Sequence, residues 1–497
     1  MDIVGRKAEI RSSEVEVTDV LRQPALVNQL KRHSLLYFAG RGASGMINFL
    51  SISIFARLLA ADGYGLFTLV VNGVLLANAI LMQWLRIAIV RYLPIYRENR
   101  HDLISVTLAI YVLEALVSTI VFIPIICFFY NEKLIIIIML LILLAQGWFD
   151  LSLDLARAGL KPVQYGALLI GKSLLSLLFS VVFIWLGWGV YGALIGQLAG
   201  LLIPGGLAYR LQWRGAKLVF QYKLAQQFVA YGFPISIAIF FSSLIIYMDR
   251  FLIAWFTNQR SVGLYTAIYD MLSALLLFIT QIPTLAGFPL AVHAYQKGDT
   301  FGCQQILRET YLISLRYSLP LVGILIGFSH PFVSLMLGSD FVQAHYLLWW
   351  LCPALIVYGL VEHYYNRSFW ITGASWRLMG VMGTAAWVNG VLNILFIPRY
   401  GLVGAAGATL VAYVMAAIIS LTLSRRTFPL LSLTPDLSRL LIAFGAMWLV
   451  LIVTSPWRGI VPITARAVLG IGVYWISLMI LSKRHREKQE STSSEVV

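Results

Sequence analysis

Long runs of apolar residues recur along the whole 497-residue chain, separated by short connections. A helix that crosses a bilayer needs about 20 mostly apolar residues, and it must bond its own backbone because lipid offers no hydrogen-bond partners. Segments of this kind lie near residues 35–60, 65–90, 103–129, 134–152, 164–187, 190–209, 227–248, 263–290, 311–330, 346–366, 375–397, 402–424, 437–454 and 462–481. The sequence therefore predicts an all-α integral membrane protein with about 14 transmembrane helices.

The composition excludes a soluble globular protein. Apolar residues make up 60% of the chain and charged residues 12%, whereas soluble domains are about 45–50% apolar and about 25% charged. Lys and Arg fall on alternate connections with a bias of about four to one, which is the pattern of cytoplasmic loops. The net charge of +15 is therefore explained by topology and needs no nucleic-acid partner. Both termini are predicted to lie in the cytoplasm.

Two internal repeats relate one half of the chain to the other. Residues 189–196 (GVYGALIG) reappear as 401–408 (GLVGAAGA), and residues 64–68 (YGLFT) reappear as 262–266 (VGLYT). Each repeated segment follows a long apolar run. The repeats therefore predict two lobes that each contain six of the transmembrane helices.

The predicted organisation is a cytoplasmic N-terminal tail, an N-lobe, a C-lobe, two further helices and a cytoplasmic C-terminal tail. The boundaries are 1–34, 35–217, 218–430, 431–482 and 483–497. Because each lobe has an even number of helices, both lobes run in the same direction and are related by an axis along the membrane normal. Two such lobes with a cleft between them indicate a transporter that works by alternating access.

Three further motifs carry a family resemblance. They are residues 55–65 (FARLLAADGYG), residues 247–253 (YMDRFLI) followed by 262–265, and residues 389–406 (NGVLNILFIPRYGLVGAA). In this order they resemble the Wzx-type polysaccharide-biosynthesis flippases, a branch of the multidrug/oligosaccharidyl-lipid/polysaccharide exporter superfamily. The resemblance covers residues 35–425. One departure is Leu59-Ala60-Ala61, where the family usually has Leu-Gly-Pro, and we expect it to alter a turn and not the function.

The resemblance implies a function. Such a protein moves undecaprenyl-diphosphate-linked oligosaccharides from the cytoplasmic to the periplasmic leaflet of a bacterial or archaeal cytoplasmic membrane, for O-antigen, capsule or exopolysaccharide export. It implies coupling to a proton or sodium gradient, without a resident cofactor. Its expected partners are the lipid-linked oligosaccharide, membrane lipids and polysaccharide assembly proteins such as a polymerase and a chain-length regulator.

Basic residues inside the predicted spans are candidates for binding the substrate. Arg41 and Asn48 share one face of the first span, and Lys172 lies in the fifth. Ionisable residues at membrane depth are costly unless they face a wet cavity or a partner. We interpret them as a cationic cavity for the diphosphate, in which Arg binds bidentately and Lys acts as a point charge. The competing interpretation is an ion pair, for instance with Glu114, or extension of Arg41 to the nearby membrane interface.

Acidic residues inside the spans are candidates for ion coupling. These are Glu114, Asp270 and Glu362, and the alternative for each is a structural, hydrogen-bonded carboxylate. The neighbouring pair Asp249 and Arg250, at the outer end of the seventh span, is interpreted as a structural anchor at the membrane interface.

Enzyme functions are not favoured. Residues 166–173 match the phosphate-binding pattern GxxxxGK[ST], but that mechanism needs a loop after a strand, and this match lies inside an apolar helix. The sequence shows no catalytic constellation and no metal-ligand motif, so we expect no enzyme and no metal site. The alternatives are a lipid II flippase or a multidrug cation antiporter of the same superfamily, and, less favoured because the external connections are short, a membrane glycan polymerase.

Overall fold

The computed structural model describes residues 24–96, 99–128, 132–455 and 460–494. Within these ranges all the regular secondary structure is helical. The predicted tails, 1–34 and 483–497, lie partly outside the described residues. Their described portions belong to the first and last helices, so the helices extend beyond the predicted spans at both ends.

Fifteen α-helices follow one another in the described ranges. They are α1 (Pro24–Leu81), α2 (Gln83–Tyr92), α3 (Arg100–Phe128), α4 (Lys133–Ala158), α5 (Pro162–Phe183), α6 (Gly189–Ala208), α7 (Tyr222–Phe256), α8 (Gln259–Gln296), α9 (Thr300–Gly327), α10 (Ser329–Met336), α11 (Leu348–Leu360), α12 (Asn366–Thr372), α13 (Ser375–Thr427), α14 (Thr434–Val453) and α15 (Ile460–Ser494). Short π-helical or 3-10 segments cover Ile184–Trp188, Tyr209–Trp213, Ser339–Leu347 and Val361–Tyr365.

Eleven helical segments in the described ranges are long and apolar enough to cross a bilayer. Three of them, Leu35–Leu81, Pro162–Trp213 and Trp376–Thr427, are 47, 52 and 52 residues long. A straight helix of the latter length would measure about 78 Å at about 1.5 Å per residue, whereas the bilayer core is about 30 Å thick. Each of the three covers two predicted spans. The all-α membrane fold is confirmed, and the number of 14 spans stays a prediction.

Each long segment is bent where two predicted spans meet. The residues with non-helical backbone angles are Ala60, Gly187 and Gly401. Gly189 and Gly401, which the sequence repeat aligns, have nearly the same backbone conformation, with φ 51° and ψ −129° at Gly189 and φ 55° and ψ −132° at Gly401. L-residues with a side chain rarely adopt such angles. The repeat therefore encodes the same sharp bend in both halves of the chain.

The chain forms two compact units. The first consists of the residues up to Ser51 together with Ala77–Ser236, and its core is built around Leu151, Trp213 and Phe228. The second consists of Ile52–Leu76 and the residues from Ile237 onward. Residues 52–76 thus belong to the second unit, although the sequence repeat assigns them to the N-lobe. The predicted lobe boundaries are based on the repeat and not on contacts, and they stay a prediction.

The last two helices pack within the second unit. Met447 and Leu451 of α14 lie against Gly323 and Gly327 of α9, and both also contact Gly470 of α15. The two helices that the sequence places outside the repeat are therefore part of the second unit's core.

The bend in α1 rests on an unusual residue. Ala60 has φ 55° and ψ −178°, a region that is essentially restricted to glycine and costs other residues about 1–3 kcal/mol. The next residue fixes the bend, because the Ala61 N–H donates to Asp340 Oδ2 at 2.8 Å. The position where the family usually has glycine is therefore the strained position, and the altered turn expected from the sequence stays a prediction.

Replacing this alanine with the glycine typical of the family should stabilise the protein. We expect Ala60→Gly to raise the free energy of unfolding by about 1–2 kcal/mol, because glycine adopts these angles without strain. The matched control Ala61→Gly changes a helical residue and should lower it by about 0.5–1 kcal/mol. Melting temperatures of the purified protein in detergent measure both effects. A decrease for Ala60→Gly equal to that of the control would contradict the assignment of strain.

Candidate functional site

The first half of α1 packs closely along α5 in the first unit. A Cβ atom built on Gly40 would lie 2.8 Å from the Cα atom of Gly166. One turn further along α1, the hydroxyls of Ser44 and Ser173 are 2.7 Å apart. Small residues allow helix backbones to approach in this way. The first and fifth predicted spans, which carry the basic candidates, are therefore neighbours.

Arg41 and Lys172 lie on the neighbouring helices α1 and α5, and Arg41 contacts Tyr165 of α5. The Arg41 Nε donates to the Tyr165 hydroxyl at 3.2 Å, and Tyr165 and Lys172 are two turns apart on one face of α5. Arg41 and Asn48 are exposed and Lys172 is half-buried. Among the described residues, the Lys172 ammonium has no hydrogen bond or ion pair, and the carboxylate that acts on it electrostatically is Asp150 of α4. The structure places Arg41 and Lys172 on neighbouring helices without a contact between them, and their roles stay predictions.

Glu114 of α3 lies apart from these two cations. It is buried, and neither of its carboxylate oxygens has a hydrogen-bond partner within the described ranges. Its neighbour Tyr111 donates to the Leu144 carbonyl at 2.8 Å instead. The ion pair between Glu114 and Arg41 or Lys172, the competing interpretation of the basic residues, is therefore not formed. Glu114 stays a candidate for coupling because a buried carboxyl without a partner is costly to keep for structure alone.

A cluster of charges that the sequence analysis did not select adjoins Lys172. Arg86 contacts Asp150 at 3.0 Å and Asp154 at 2.9 Å, and Asp154 also contacts Arg157 at 2.9 Å. The Asn78 amide donates to Asp150 at 3.2 Å. The sequence did contain a signal for this cluster. Asp150 and Asp154 are four residues apart, so they share one helix face, and a basic residue lies beside them.

The polar region of the first unit carries an excess of positive charge. Tyr37 connects α1 to α5 in this region, because its ring packs against that of Tyr165 with centroids 5.1 Å apart. Arg86 and Arg157 contact the carboxylates of Asp150 and Asp154, whereas Arg41 and Lys172 form no ion pair among the described residues. Two positive charges are left over. The region suits a divalent anionic group better than a cation.

The second unit contains a fully buried carboxylate held by neutral donors. Asp249 of α7 accepts hydrogen bonds from the Tyr265 hydroxyl at 2.8 Å, the Thr409 hydroxyl at 2.8 Å and the Asn393 amide at 3.2 Å. Asn393 also donates to Asn389 Oδ1 at 3.1 Å. Its own Oδ1 has no partner in the described part of the chain. Carboxylate, amide and hydroxyl oxygens converge here, and oxygen ligands are those that hard cations prefer.

Asp270 is the counter-ion of a buried arginine. Arg250 is fully buried and its Nη2 lies 2.7 Å from Asp270 Oδ1. The guanidinium also lies over the Tyr269 ring at 4.7 Å, which favours the cation further. This geometry supports the structural interpretation of Asp270. The interpretation of Asp249 and Arg250 as an interface anchor is wrong, because α7 continues to Phe256 and both side chains are fully buried.

Glu362 also has local partners. It lies in the π-helical turn after α11, where it accepts a hydrogen bond from Asn366 at 3.3 Å and lies 3.9 Å from Arg367. Asn366 in turn accepts from Ser420 of α13 at 3.0 Å. Glu362 is thus part of the hydrogen bonding that holds the turn against α13.

Comparison with known proteins identifies the family. Residues 30–294 match the family described as "Polysaccharide biosynthesis protein", which is more than half of the chain. The chain belongs to this family. The resemblance noted in the sequence is thereby confirmed.

Two curated proteins are similar to this polysaccharide biosynthesis protein. An uncharacterized membrane protein of Methanocaldococcus jannaschii is 23% identical over 363 residues, which cover 66% of this chain and 70% of that protein. The "Probable low-salt glycan biosynthesis flippase Agl15" of Haloferax volcanii is 25% identical over 180 residues. That match covers 35% of this chain and only 36% of the Haloferax protein.

Solved structures show the same fold. The lipid II flippase MurJ in an inward closed conformation superposes with a TM-score of 0.72 at 15% identity, covering 92% of this chain and 99% of that one. An inward-facing multidrug resistance transporter of the MATE family superposes with a TM-score of 0.62 at 15% identity, covering 79% and 97%. That transporter belongs to the MOP superfamily. The chain is therefore a multi-pass membrane protein that shares the fold of these transporters.

Family membership leaves the assignment of individual residues to the structure. In this polysaccharide biosynthesis protein, the excess positive charge lies in the first unit and the buried oxygen cluster around Asp249 lies in the second. Within the described residues, no group of three or more His, Cys, Asp or Glu side chains is arranged to hold a metal ion. The oxygens around Asp249 belong to one carboxylate and neutral groups, which suits a monovalent cation.

The ion pair of Arg250 should be needed for stability. We expect Asp270→Asn to lower the free energy of unfolding by about 3–5 kcal/mol, because it leaves a buried cation without a counter-ion. The double variant Arg250→Met with Asp270→Asn should recover part of the loss. As a control, Glu309→Gln removes a carboxylate that is 46% exposed and should cost about 1 kcal/mol or less. Melting temperatures compare the variants, and equal effects of Asp270→Asn and Glu309→Gln would contradict the structural role.

Proposed function

We propose that this protein flips an undecaprenyl-diphosphate-linked oligosaccharide from the cytoplasmic to the periplasmic leaflet by alternating access. The observation that carries the proposal is the excess positive charge of the first unit, around Arg41 and Lys172, in a protein of the polysaccharide biosynthesis family. A diphosphate is the part of such a substrate that carries charge. Charge-assisted hydrogen bonds from Arg and Lys to phosphate oxygens are about twice as strong as neutral ones.

The position of these cations supports entry of the substrate from the cytoplasm. Arg41 and Lys172 each lie roughly two turns from the predicted cytoplasmic ends of their spans, or about 9–12 Å at 1.5 Å per residue. The polysaccharide assembly proteins expected to supply and use the lipid-linked sugar, such as a polymerase and a chain-length regulator, are part of the proposal.

An interlocked contact in the second unit supports alternating access. A Cβ built on Gly65 would lie 2.0 Å from the Gln259 carbonyl oxygen, and one built on Gly263 would lie 1.9 Å from the Ala61 carbonyl oxygen. Gly65 and Gly263 are equivalent positions of the sequence repeat. Arg260 bonds Asp62 at 3.2 Å and also contacts Asp340.

This contact lies at the predicted periplasmic ends of the first and seventh spans. The contact joins a segment of the predicted N-lobe to helices of the predicted C-lobe, so an opening toward the periplasm must separate it. Its ion pairs are partly exposed, with the Arg260 side chain 41% exposed, and exposed ion pairs are worth only about 0–1 kcal/mol. The close packing of the glycines can keep the periplasmic side of the protein closed. Opening then breaks only ion pairs that contribute little free energy.

We further propose that Asp249 couples transport to a sodium or proton gradient. Asp270 and Glu362 are partly exposed and have cationic partners at 2.7 Å and 3.9 Å, whereas the fully buried Asp249 accepts hydrogen bonds from neutral groups, with Arg250 acting on it only electrostatically and an unpaired amide oxygen nearby. A sodium ion or a proton can replace those donors at the carboxylate. Glu114, which is buried without a partner, is the second candidate.

Other transporters of the superfamily are less well supported. The likeness to the lipid II flippase is at 15% identity and concerns the fold alone. A cation antiporter for drugs does not fit the net positive charge of the first unit. A glycan polymerase would need an active site, and the solved neighbours are transporters.

The diphosphate role predicts a binding defect without loss of folding. Arg41→Ala or Lys172→Ala should weaken binding of undecaprenyl diphosphate about tenfold or more, since a charged hydrogen bond contributes about 1.5–3 kcal/mol. The exchanges Arg41→Lys and Lys172→Arg should be milder. Lys223→Ala, an exposed lysine at the start of α7, is the matched control and should bind normally. Affinity by thermophoresis and melting temperature are measured together, and normal affinity in well-folded Arg41→Ala and Lys172→Ala would rule the role out.

The coupling role predicts loss of response to the gradient. Asp249→Asn should insert and fold but lose stimulation of transport by an imposed sodium or proton gradient in proteoliposomes, because the amide cannot exchange a cation. Glu114→Gln and Glu362→Gln are measured alongside. If Asp249→Asn keeps full stimulation and Glu114→Gln abolishes it, coupling belongs to Glu114. If all three amide variants respond normally, these carboxylates are not part of the coupling mechanism.

A further inference from the structure

A cavity of about 600 Å³ lies in the first unit. It is bounded by the start of α5, the end of α6 with the π-helical turn that follows, and one residue of α1. Its lining residues are Leu36, Lys161, Pro162, Val163, Gln164, Ala167, Leu168, Leu207 and Leu211. The walls are almost entirely apolar and contain no acidic side chain.

The polar groups of this cavity lie at the start of α5 and include hydrogen-bond donors without a side-chain partner. Lys161, the residue before the first turn of α5, contributes an ammonium. No side chain caps the N-terminus of α5, which is the positive end of the helix dipole. The Gln164 Nε2 is buried and has no hydrogen-bond partner among the described residues. An anionic group with oxygen acceptors would satisfy all three.

The cavity shares α5 with the proposed diphosphate region, and Leu168 of its lining is one turn from Lys172, but Arg41, Tyr165 and Lys172 do not line it. At 3.6 residues per turn, Tyr165 and Lys172 lie on roughly the opposite side of α5 from Val163 and Ala167. The apolar rim is open, since Val163 is 68% exposed and Leu207 and Leu211 are 51% and 53% exposed. In a membrane protein such a rim faces lipid chains.

We propose that this cavity binds an anionic phospholipid, with one acyl chain against the leucines and the phosphate at Lys161, Gln164 and the N-terminus of α5. Charge complementarity selects the occupant: an apolar slot with a cation, an unpaired amide nitrogen and no acidic side chain in its lining matches a lipid chain joined to a phosphate. Lys161 also lies on a predicted cytoplasmic connection, and anionic lipids attract basic residues at that membrane surface. The proposal does not depend on which substrate the protein transports.

Native mass spectrometry of the full-length protein in detergent tests the site. Dioleoylphosphatidylglycerol should bind more tightly than dioleoylphosphatidylcholine at one site. Lys161→Ala should weaken phosphatidylglycerol binding about fivefold and leave phosphatidylcholine unchanged. Lys217→Ala, an exposed lysine outside the cavity lining, should change neither. Ala167→Trp and Leu207→Trp place a large ring in the cavity, and each should abolish the tight site.

Four results would overturn the proposal. The first is equal affinity for the two phospholipids, and the second is an equal loss in Lys161→Ala and Lys217→Ala, which would indicate surface charge alone. The third is normal phosphatidylglycerol binding in a well-folded tryptophan variant. The fourth is displacement of phosphatidylglycerol by undecaprenyl diphosphate with the same dependence on Lys161, which would assign the cavity to the substrate. Because Lys161 is exposed, its replacement leaves packing intact and decides the question even where a tryptophan variant fails to fold.

Discussion

The bilayer requires every backbone N–H and C=O group in its interior to be bonded within the chain. Within the described residues the protein meets this requirement with helices alone, and it confines irregular backbone to a few bends. Gly189 and Gly401 provide the same bend in the two halves of the sequence repeat. After each bend the chain returns so closely that Gly192 and Gly404 lie against the backbone of the preceding helix. Two tightly packed hairpins of helices follow from two repeated glycines.

Charge in an apolar environment is the second constraint, and the two units meet it differently. In the second unit, Arg250 is neutralised by Asp270 and stacked on Tyr269, and Asp249 is surrounded by neutral donors. In the first unit, the carboxylates near Arg86 do not balance the surrounding cations, and Lys172 has no ion-pair partner in the described part of the chain. Groups that are fully compensated stabilise a fold. Charged side chains that lack a counter-ion indicate where a ligand of opposite charge binds.

Much of the fold could be predicted from the sequence, because lipid imposes a length and a composition that one chain reveals. The apolar runs, the charge bias and the repeat at Gly189 and Gly401 are local patterns. The neighbours of a buried side chain are not local. Asp249 meets Asn393 and Thr409 only because helices more than a hundred residues apart in sequence converge.

The same limit explains the candidates that the sequence analysis misjudged or missed. The Asp249-Arg250 pair was interpreted from its position near the end of a predicted span, and a shift of a few residues in the end of α7 changed its surroundings from interface to core. The network of Arg86 with Asp150 and Asp154 required knowing that α2 packs on α4. Arg41 and Lys172, in contrast, could be selected in advance because each lies on a recognisable polar face of its helix, and their role as a site stays a prediction.

The alanine at the bend of α1 has a consequence for the balance between conformations. Strain at Ala60 raises the free energy of the conformation described here by about 1–3 kcal/mol. Any other conformation in which residue 60 has ordinary backbone angles is relieved of that strain. Relative to a chain with glycine at this position, such a conformation gains a factor of about 5–150 in population. A single methyl group therefore disfavours this bend of α1 relative to any conformation in which residue 60 has ordinary backbone angles.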